Sequence, residues 1–346
     1  MRNLSRRFVP SLLLCVLVLS SGSIFNNAPE KVVPKRTGSM PSTYDFVHDP
    51  SMAKDGNTYY VFSTGDPNVN NGNIQIRASQ DLKHWSYLGT VFSMIPTWLT
   101  NQVPGIVNIW APDVSYFKGH YQIFYAGSTF GSNSSVIALA TNKTLNPKSK
   151  LYHWVDRGMV LQSSPADNWN AIDPNFILDS KGKPWLVFGS FWSGIKLVQL
   201  NDKLRAIGTL HSLVYRPKPP DAVEAPFIIS HNSYYYLFVS FGFCCRGVNS
   251  TYRIMMGRSQ NITGPYVDEK GNSMMNGGGT LLLGNQGSMI GPGGQSVLTS
   301  NGKSYMIYHY YDALAGGNAK LQIRMIYWTK KGWPVLGGPI VPVPNE

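Results

Sequence analysis

The chain is short of charge and of cysteine. Charged residues make up 14% of its 346 residues, against 43% hydrophobic and 12% aromatic, so it lacks the Lys- and Glu-covered surfaces of helical bundles. No run of Lys or Arg exceeds two residues. The formal charge of +12 is therefore scattered, which argues against a phosphate groove and a nucleic-acid partner. Apolar runs long enough for a bilayer are missing too. The apolar stretch at residues 8–19 falls below the roughly 20 residues a span requires, and no membrane partner is expected. It follows three arginines and precedes small residues, the pattern of a secretory signal over residues 1–23. Residues 24–42, polar with three prolines, read as a linker, leaving residues 43–346 as the folded domain of a secreted protein, extracellular or periplasmic. Losing Arg2, Arg6 and Arg7 with the signal takes the charge from +12 to +9.

Of three cysteines, Cys15 leaves with the signal and Cys244 and Cys245 are neighbours. They are either a vicinal disulfide or two free thiols in a turn, and no Cys/His cluster has zinc spacing. Four sequons, at Asn133, Asn142, Asn249 and Asn261, are glycan acceptors in a eukaryotic source.

What the chain has in plenty is Gly, Pro, Tyr and Trp, a composition that favours β-structure. One pattern recurs five times: a proline beside a polar residue, a short apolar strand, a turn, then an aromatic strand ending in Ser or Gly. The copies begin at His48, Ala111, Ile172, Glu224 and Gly291, and their turns centre on Gly56, Gly119, Gly182, Asn232 and Gly302. With room for four short strands per repeat, the expected fold is an all-β, five-bladed β-propeller with its active site at the central channel. Such a ring closes its own core, so a monomer is the expected state.

In a propeller the first strand of each blade lines the channel, so residues at its start converge on one mouth. Asp49, Asp173 and Glu224 stand there, one or two residues before Pro50, Pro174 and Pro226. Asp113 follows its proline, so its phase differs. Crowded carboxylates raise one another's pKa and destabilise the fold. Glycoside hydrolysis uses such a group, with one carboxyl protonated to release the leaving oxygen and one ionised to attack or to activate water. Trp110, Phe191 and Trp192 lie beside the same strands and offer faces for sugar rings. His309, in the second strand of the fifth copy, interrupts a row in which the other copies present Phe62, Phe124, Phe188 and Phe238.

These residues carry a resemblance. HDPS (residues 48–51), NIWAPDV (108–114), NAIDPN (170–175), GSFWSGIKL (189–197), EAPF (224–227), FCCRG (243–247) and YHYYD (308–312), in this order, resemble the arabinan-degrading members of glycoside hydrolase family 43. The likeness implies a secreted enzyme that cuts internal 1,5-α-L-arabinofuranosidic linkages of arabinan, a pectin side chain, with inversion. It implies Asp49 as general base, Glu224 as general acid and Asp173 as the residue that raises and orients the acid. By the same resemblance Trp110, Asn170, Ser190 and Phe191 contact sugar, and a metal, usually calcium, sits in the channel near His309. An exo-acting arabinofuranosidase or β-xylosidase of the same fold is the nearest alternative, and a non-catalytic carbohydrate-binding propeller the next. Glycine runs at 277–279, 291–294 and 316–317 suggest an open cleft and, with no appended β-sandwich, endo action.

Overall fold

The computed structural model describes residues 46–343; the expected signal (1–23) and linker (24–42) lie outside the described residues. Twenty strands form five four-stranded antiparallel sheets, each built from consecutive strands in the order first to fourth. Blade one holds β1 (Ser51–Asp55), β2 (Thr58–Ser63), β3 (Gln75–Ser79) and β4 (Ser86–Thr90). After a short helix, α1 (Thr97–Gln102), blade two holds β5 (Ile109–Phe117), β6 (His120–Gly127), β7 (Ser135–Asn142) and β8 (Val155–Ser163). Blade three follows with β9 (Asn175–Leu178), β10 (Pro184–Phe188), β11 (Ile195–Leu200) and β12 (Ala206–Val214). Blade four is β13 (Val223–His231), β14 (Tyr234–Phe241), β15 (Arg253–Ser259) and β16 (Thr280–Leu283). Blade five is β17 (Met289–Ser300), β18 (Lys303–Asp312), β19 (Asn318–Trp328) and β20 (Pro334–Pro339). No described helix is long and apolar enough to cross a membrane.

Period-two alternation in each second strand builds the ring, because successive side chains leave a strand on opposite faces. On β2, Phe62 packs with Ile123 and Tyr125 of blade two, while Val61 between its neighbours packs with Tyr305 and Ile307 of blade five. On β14, Tyr236 and Phe238 join Met306 and Tyr308 of blade five, while Leu237 and Val239 join Val187 and Leu197 of blade three. Every blade therefore donates apolar residues to two inter-blade cores, and the five cores close a ring. Among the described residues no strand is exchanged between the first and last blades; their seam holds side-chain packing and hydrogen bonds such as Val47 N to Ala319 O.

The first strands β1, β5, β9, β13 and β17 touch one another around the axis. Just where each begins, one residue turns left-handed: Asp49 (φ 48°), Ala111 (39°), Asp173 (56°), Ala225 (52°) and Gly294 (57°). In β5, β13 and β17 this residue sits in a register break of the first hairpin, that is, a β-bulge. Proline follows it in four blades, as a bulge permits because no ladder N–H is required there. Non-glycine residues at positive φ cost of order 1 kcal/mol or more, so the ring repeats a strained turn at its mouth.

Candidate active site

The repeated bulge fixes which carboxylates meet. Asp49 and Asp173 occupy the bulge position itself. Glu224 stands one residue earlier, where the other blades place His48, Trp110 and Ile172, and this offset lets it approach from the neighbouring blade rather than in register. The cavity above the axis, about 570 Å³, is lined by Asp49, Asp173 and Glu224 together with His48, Thr64, Trp110, Tyr252 and Tyr311.

Each carboxylate has its own set of partners. Asp49 Oδ2 accepts from Thr64 Oγ1 at 2.7 Å and pairs with His48 Nδ1 at 2.8 Å. Asp173 Oδ2 accepts the amide of Ala225, the residue after Glu224, at 3.0 Å. Glu224, 7% exposed, accepts from Ser190 Oγ at 2.7 Å and from the Tyr252 hydroxyl. Burial pushes the Asp49 pKa up, but His48, His309 and Thr64 together outweigh it and hold the group at about 2. Burial raises Asp173 well above the ordinary range, with the charges of Glu224 and Asp49 adding to it. Glu224 is raised by burial, against the hydrogen bonds of Tyr252 and Ser190. The trio thus divides into one carboxylate held low and two that burial raises.

His309 requires a correction. The aromatic row of the second strands pairs Ser51 with Phe62, Asp113 with Phe124 and Phe227 with Phe238, and the fifth blade pairs Ser296 with Ile307. The apolar row is unbroken: counted from the turn, Ile307 stands four residues after the first paired residue of its strand, as Phe62, Phe124 and Phe238 do, and His309 lies two residues further on. His309 belongs instead to the row of Thr64, Ala126, Gly189 and Ser240. That row ties blades together through side chains that accept the next blade's bulge amide: Ala111 N to Thr64 Oγ1 (2.9 Å), Gly294 N to Ser240 Oγ (3.0 Å) and Asp49 N to His309 Nδ1 (3.1 Å).

One of the three glycine runs is corrected as well. Gly291 to Gly294 form no surface loop but lie buried inside β17. A Cβ on Gly293 would stand 2.3 Å from the Tyr252 ring, and one on Gly294 2.4 Å from Asp49 Oδ1. These glycines let the carboxylates close in. Among the sequons, Asn133 is buried and its amide donates to Ser164, Asp167 and Trp169 carbonyls, and Asn142 is also buried. Only Asn249 and Asn261 are exposed.

Of the proposed sugar contacts, Trp110 lines the cavity, its indole N–H held by Asn108 Oδ1 at 2.8 Å. Ser190 is engaged with Glu224. Phe191 lies against Phe243, ring centroids 5.9 Å apart, and Asn170 is buried, donating to Ser132 O. Cys244 and Cys245 form a vicinal disulfide with Cα atoms 3.8 Å apart and line the cavity wall. Asp113, 3% exposed, lies deeper in the channel, where burial raises it to about 7 against hydrogen bonds from the Phe176 amide, Asn175 and Ser51. Thr64, Tyr252 and Tyr311 are the site residues that sequence reasoning missed.

The model of glycosyl hydrolases family 43 matches residues 40–334. The chain belongs to that family. Among curated family 43 relatives it is 41% identical to an extracellular endo-α-(1→5)-L-arabinanase of Bacillus subtilis, over 91% of this chain and 94% of that one. It is 42% identical to an extracellular exo-α-(1→5)-L-arabinofuranosidase of Cellvibrio japonicus, over 83% and 85%. The crystal structure of an exo-1,5-α-L-arabinanase from a bovine ruminal metagenomic library superposes with a TM-score of 0.82 at 43% identity, covering 87% of this chain and all of that one. The protein is a glycoside hydrolase.

A cation in this family 43 channel would meet His48, Asp49 and His309, whose donor atoms lie within 4.8 Å of one another. His309 is fully buried, and its Nε2 has no hydrogen-bond partner. Burial drives its pKa well down, and with Nδ1 accepting the Asp49 amide the ring proton sits on Nε2. One carboxylate and two imidazoles are poor in the oxygen that calcium prefers. With Nδ1 of His309 accepting, its Nε2 protonated and both nitrogens of His48 engaged, only Asp49 offers that ion a direct ligand, so it would be held through Asp49 and water, with the Nε2–H of His309 donating to a water of that shell.

Proposed function

We propose that this family 43 enzyme acts outside the cytoplasm and hydrolyses internal 1,5-α-L-arabinofuranosidic linkages of arabinan with inversion at the anomeric carbon. The observation that carries the reading is that one cavity holds Asp49 and Glu224 in opposed surroundings, His48 and Thr64 lowering the first and burial raising the second. Asp49, ionised and 20% exposed to the cavity, takes a proton from the attacking water as its oxygen bonds to the anomeric carbon. Glu224 gives its proton to the departing oxygen, so one proton is taken up and one released. Asp173, through the Ala225 amide, holds the backbone that carries the acid. The cavity lining includes the exposed apolar side chains of Val107 and Phe130 (82% exposed), which suits a polymer that extends beyond the carboxylates. Trp110, Asn170, Ser190 and Phe191 are the proposed contacts to sugar.

The test is a time course of product sizes from linear 1,5-arabinan. Mixed oligosaccharides in the first minutes are expected. Arabinose or one short oligomer alone from the outset would assign exo action, as the name of the Cellvibrio relative describes for that protein.

The proposal includes a hydrated calcium ion beside His309, with Asp49 supplying a carboxylate oxygen. When bound it supplies positive charge beneath the carboxylates. Dialysis against a chelator should lower Tm, and added calcium should restore it. A Tm indifferent to both treatments would remove the ion from the reading.

A further inference from the structure

The disulfide at the cavity wall is joined to Asp49 by an unbroken chain of hydrogen bonds. The Cys245 amide donates to the Tyr311 hydroxyl oxygen at 2.7 Å. Tyr311 Oη lies 2.8 Å from His48 Nε2, and His48 Nδ1 lies 2.8 Å from Asp49 Oδ2. The direction of the chain follows from its ends. The Asp49 carboxylate can only accept, so His48 Nδ1 donates to it, and at the other end the Tyr311 oxygen accepts the Cys245 N–H and gives its own proton to His48 Nε2. With Nε2 accepting, the neutral imidazole keeps its proton on Nδ1 and donates it to the carboxylate. The ring cannot tilt freely, because it stacks on His309 with centroids 3.7 Å apart, and His309 itself holds the Asp49 amide. The first link depends on Cys245 standing at φ 64°, a left-handed conformation that a non-glycine residue leaves readily unless held. The two-residue disulfide ring holds it.

We propose that the Cys244–Cys245 ring, acting through Tyr311 and His48, is a positioning device for the Asp49 carboxylate, and that opening the ring lowers the rate of hydrolysis. The proposal rests on Asp49 being the general base. Reduction by a dithiol such as dithiothreitol breaks the S–S bond, leaves two thiols on the protein and converts the dithiol to its cyclic disulfide, a transfer of two electrons and two protons. Cys245 then relaxes from its left-handed turn, Tyr311 loses its fixed donor, and His48 no longer presents one tautomer to Asp49. Tyr311 and His48 are positioning residues in this account, and Cys245 contributes a backbone amide.

The experiment measures kcat and KM on linear 1,5-arabinan for the wild type before and after dithiothreitol, for Tyr311→Phe, for Cys244→Ser/Cys245→Ser, and for the triple variant. Reduction, either variant and the triple are each expected to lower kcat by about tenfold to a hundredfold, as a displaced catalytic group does, with KM nearly unchanged. The triple should lose no more than either parent, since all three break one chain. Tyr311→Phe should be insensitive to dithiothreitol, and reoxidation should restore the wild type. A raised KM at constant kcat would overturn the proposal and make the ring a sugar contact. Losses that multiply in the triple, or an unchanged kcat once two thiols titrate, would overturn it too. If the serine variant fails to fold, reduction of the folded wild type still decides. Asp49→Asn is run alongside: activity retained there removes the base reading itself, whatever the ring does.

Discussion

Replacing Glu224 by Gln should lower kcat on arabinan by roughly a thousandfold or more while leaving substrate binding largely intact, because the amide keeps the shape but cannot deliver a proton. The same change should raise Tm at neutral pH. The sign follows from the raised pKa of the buried acid: in the unfolded chain the carboxyl ionises near its ordinary value, so as pH rises past that value folding must hold a proton the unfolded chain has released. A group raised on folding therefore stabilises at low pH and destabilises above it, and Gln removes the penalty. Calorimetry of both proteins at pH 4 and pH 7 would show the gain growing with pH. Activity within tenfold of the wild type, or a Tm that falls only at neutral pH, would remove Glu224 from the role of acid. The alkaline limb of the pH–rate profile belongs to the same group. Deleting one donor to its ionised form, with Tyr252→Phe, should move that limb to higher pH. Asp49, held at about 2, leaves the base ionised across the mildly acidic range.

The second large effect is expected at Gly294. An alanine there would place its Cβ 2.4 Å from Asp49 Oδ1 and 2.7 Å from His309 Cε1 and Nδ1, closer than non-bonded atoms approach. The backbone at φ 57° adds strain of about 1 kcal/mol. Since Asp49 and His309 are both fixed by hydrogen bonds, the carboxylate must move, and kcat should fall by about a hundredfold or more, with a lowered Tm. Gly302→Ala is the control. It stands at φ 73° in a hairpin turn with nothing within 4 Å of its Cβ, so it should lose stability through strain alone and keep full kcat. Equal losses of activity in the two variants would mean that backbone strain, rather than crowding of Asp49, is responsible.

The five blades were legible because each one repeats a hairpin whose turn glycine and aromatic strand survive in the sequence, and the carboxylates were legible because the repeat places them at matching points. What the repeat cannot show is which residues pair. The proline marks Glu224 as one residue earlier than Asp49 and Asp173, but only the pairing of Ser296 with Ile307 shows that His309 lies two residues beyond the apolar row. The glycines at 291–294 invite a loop reading until the atoms opposite them are known. Tyr252 and Tyr311 are two among 19 tyrosines, and no spacing marks the two that face carboxylates or histidines. Thr64 is equally silent, its role set by a strand from the same blade folding back onto Asp49.

The seam between the first and fifth blades has a further meaning. The described chain passes from blade to blade through the other four junctions, whereas here the first blade meets the fifth without a direct connection among the described residues. Asp49 of blade one is gripped across that junction by His309 and by the Tyr311–His48 pair, and Ser296 Oγ holds Pro50 O at 2.7 Å. The catalytic residues are thus also the clasp of the ring. A parting of the two blades by even a few ångströms would disarm the enzyme while the other four cores stay packed, so heat and denaturant should silence catalysis before they erase the β-structure.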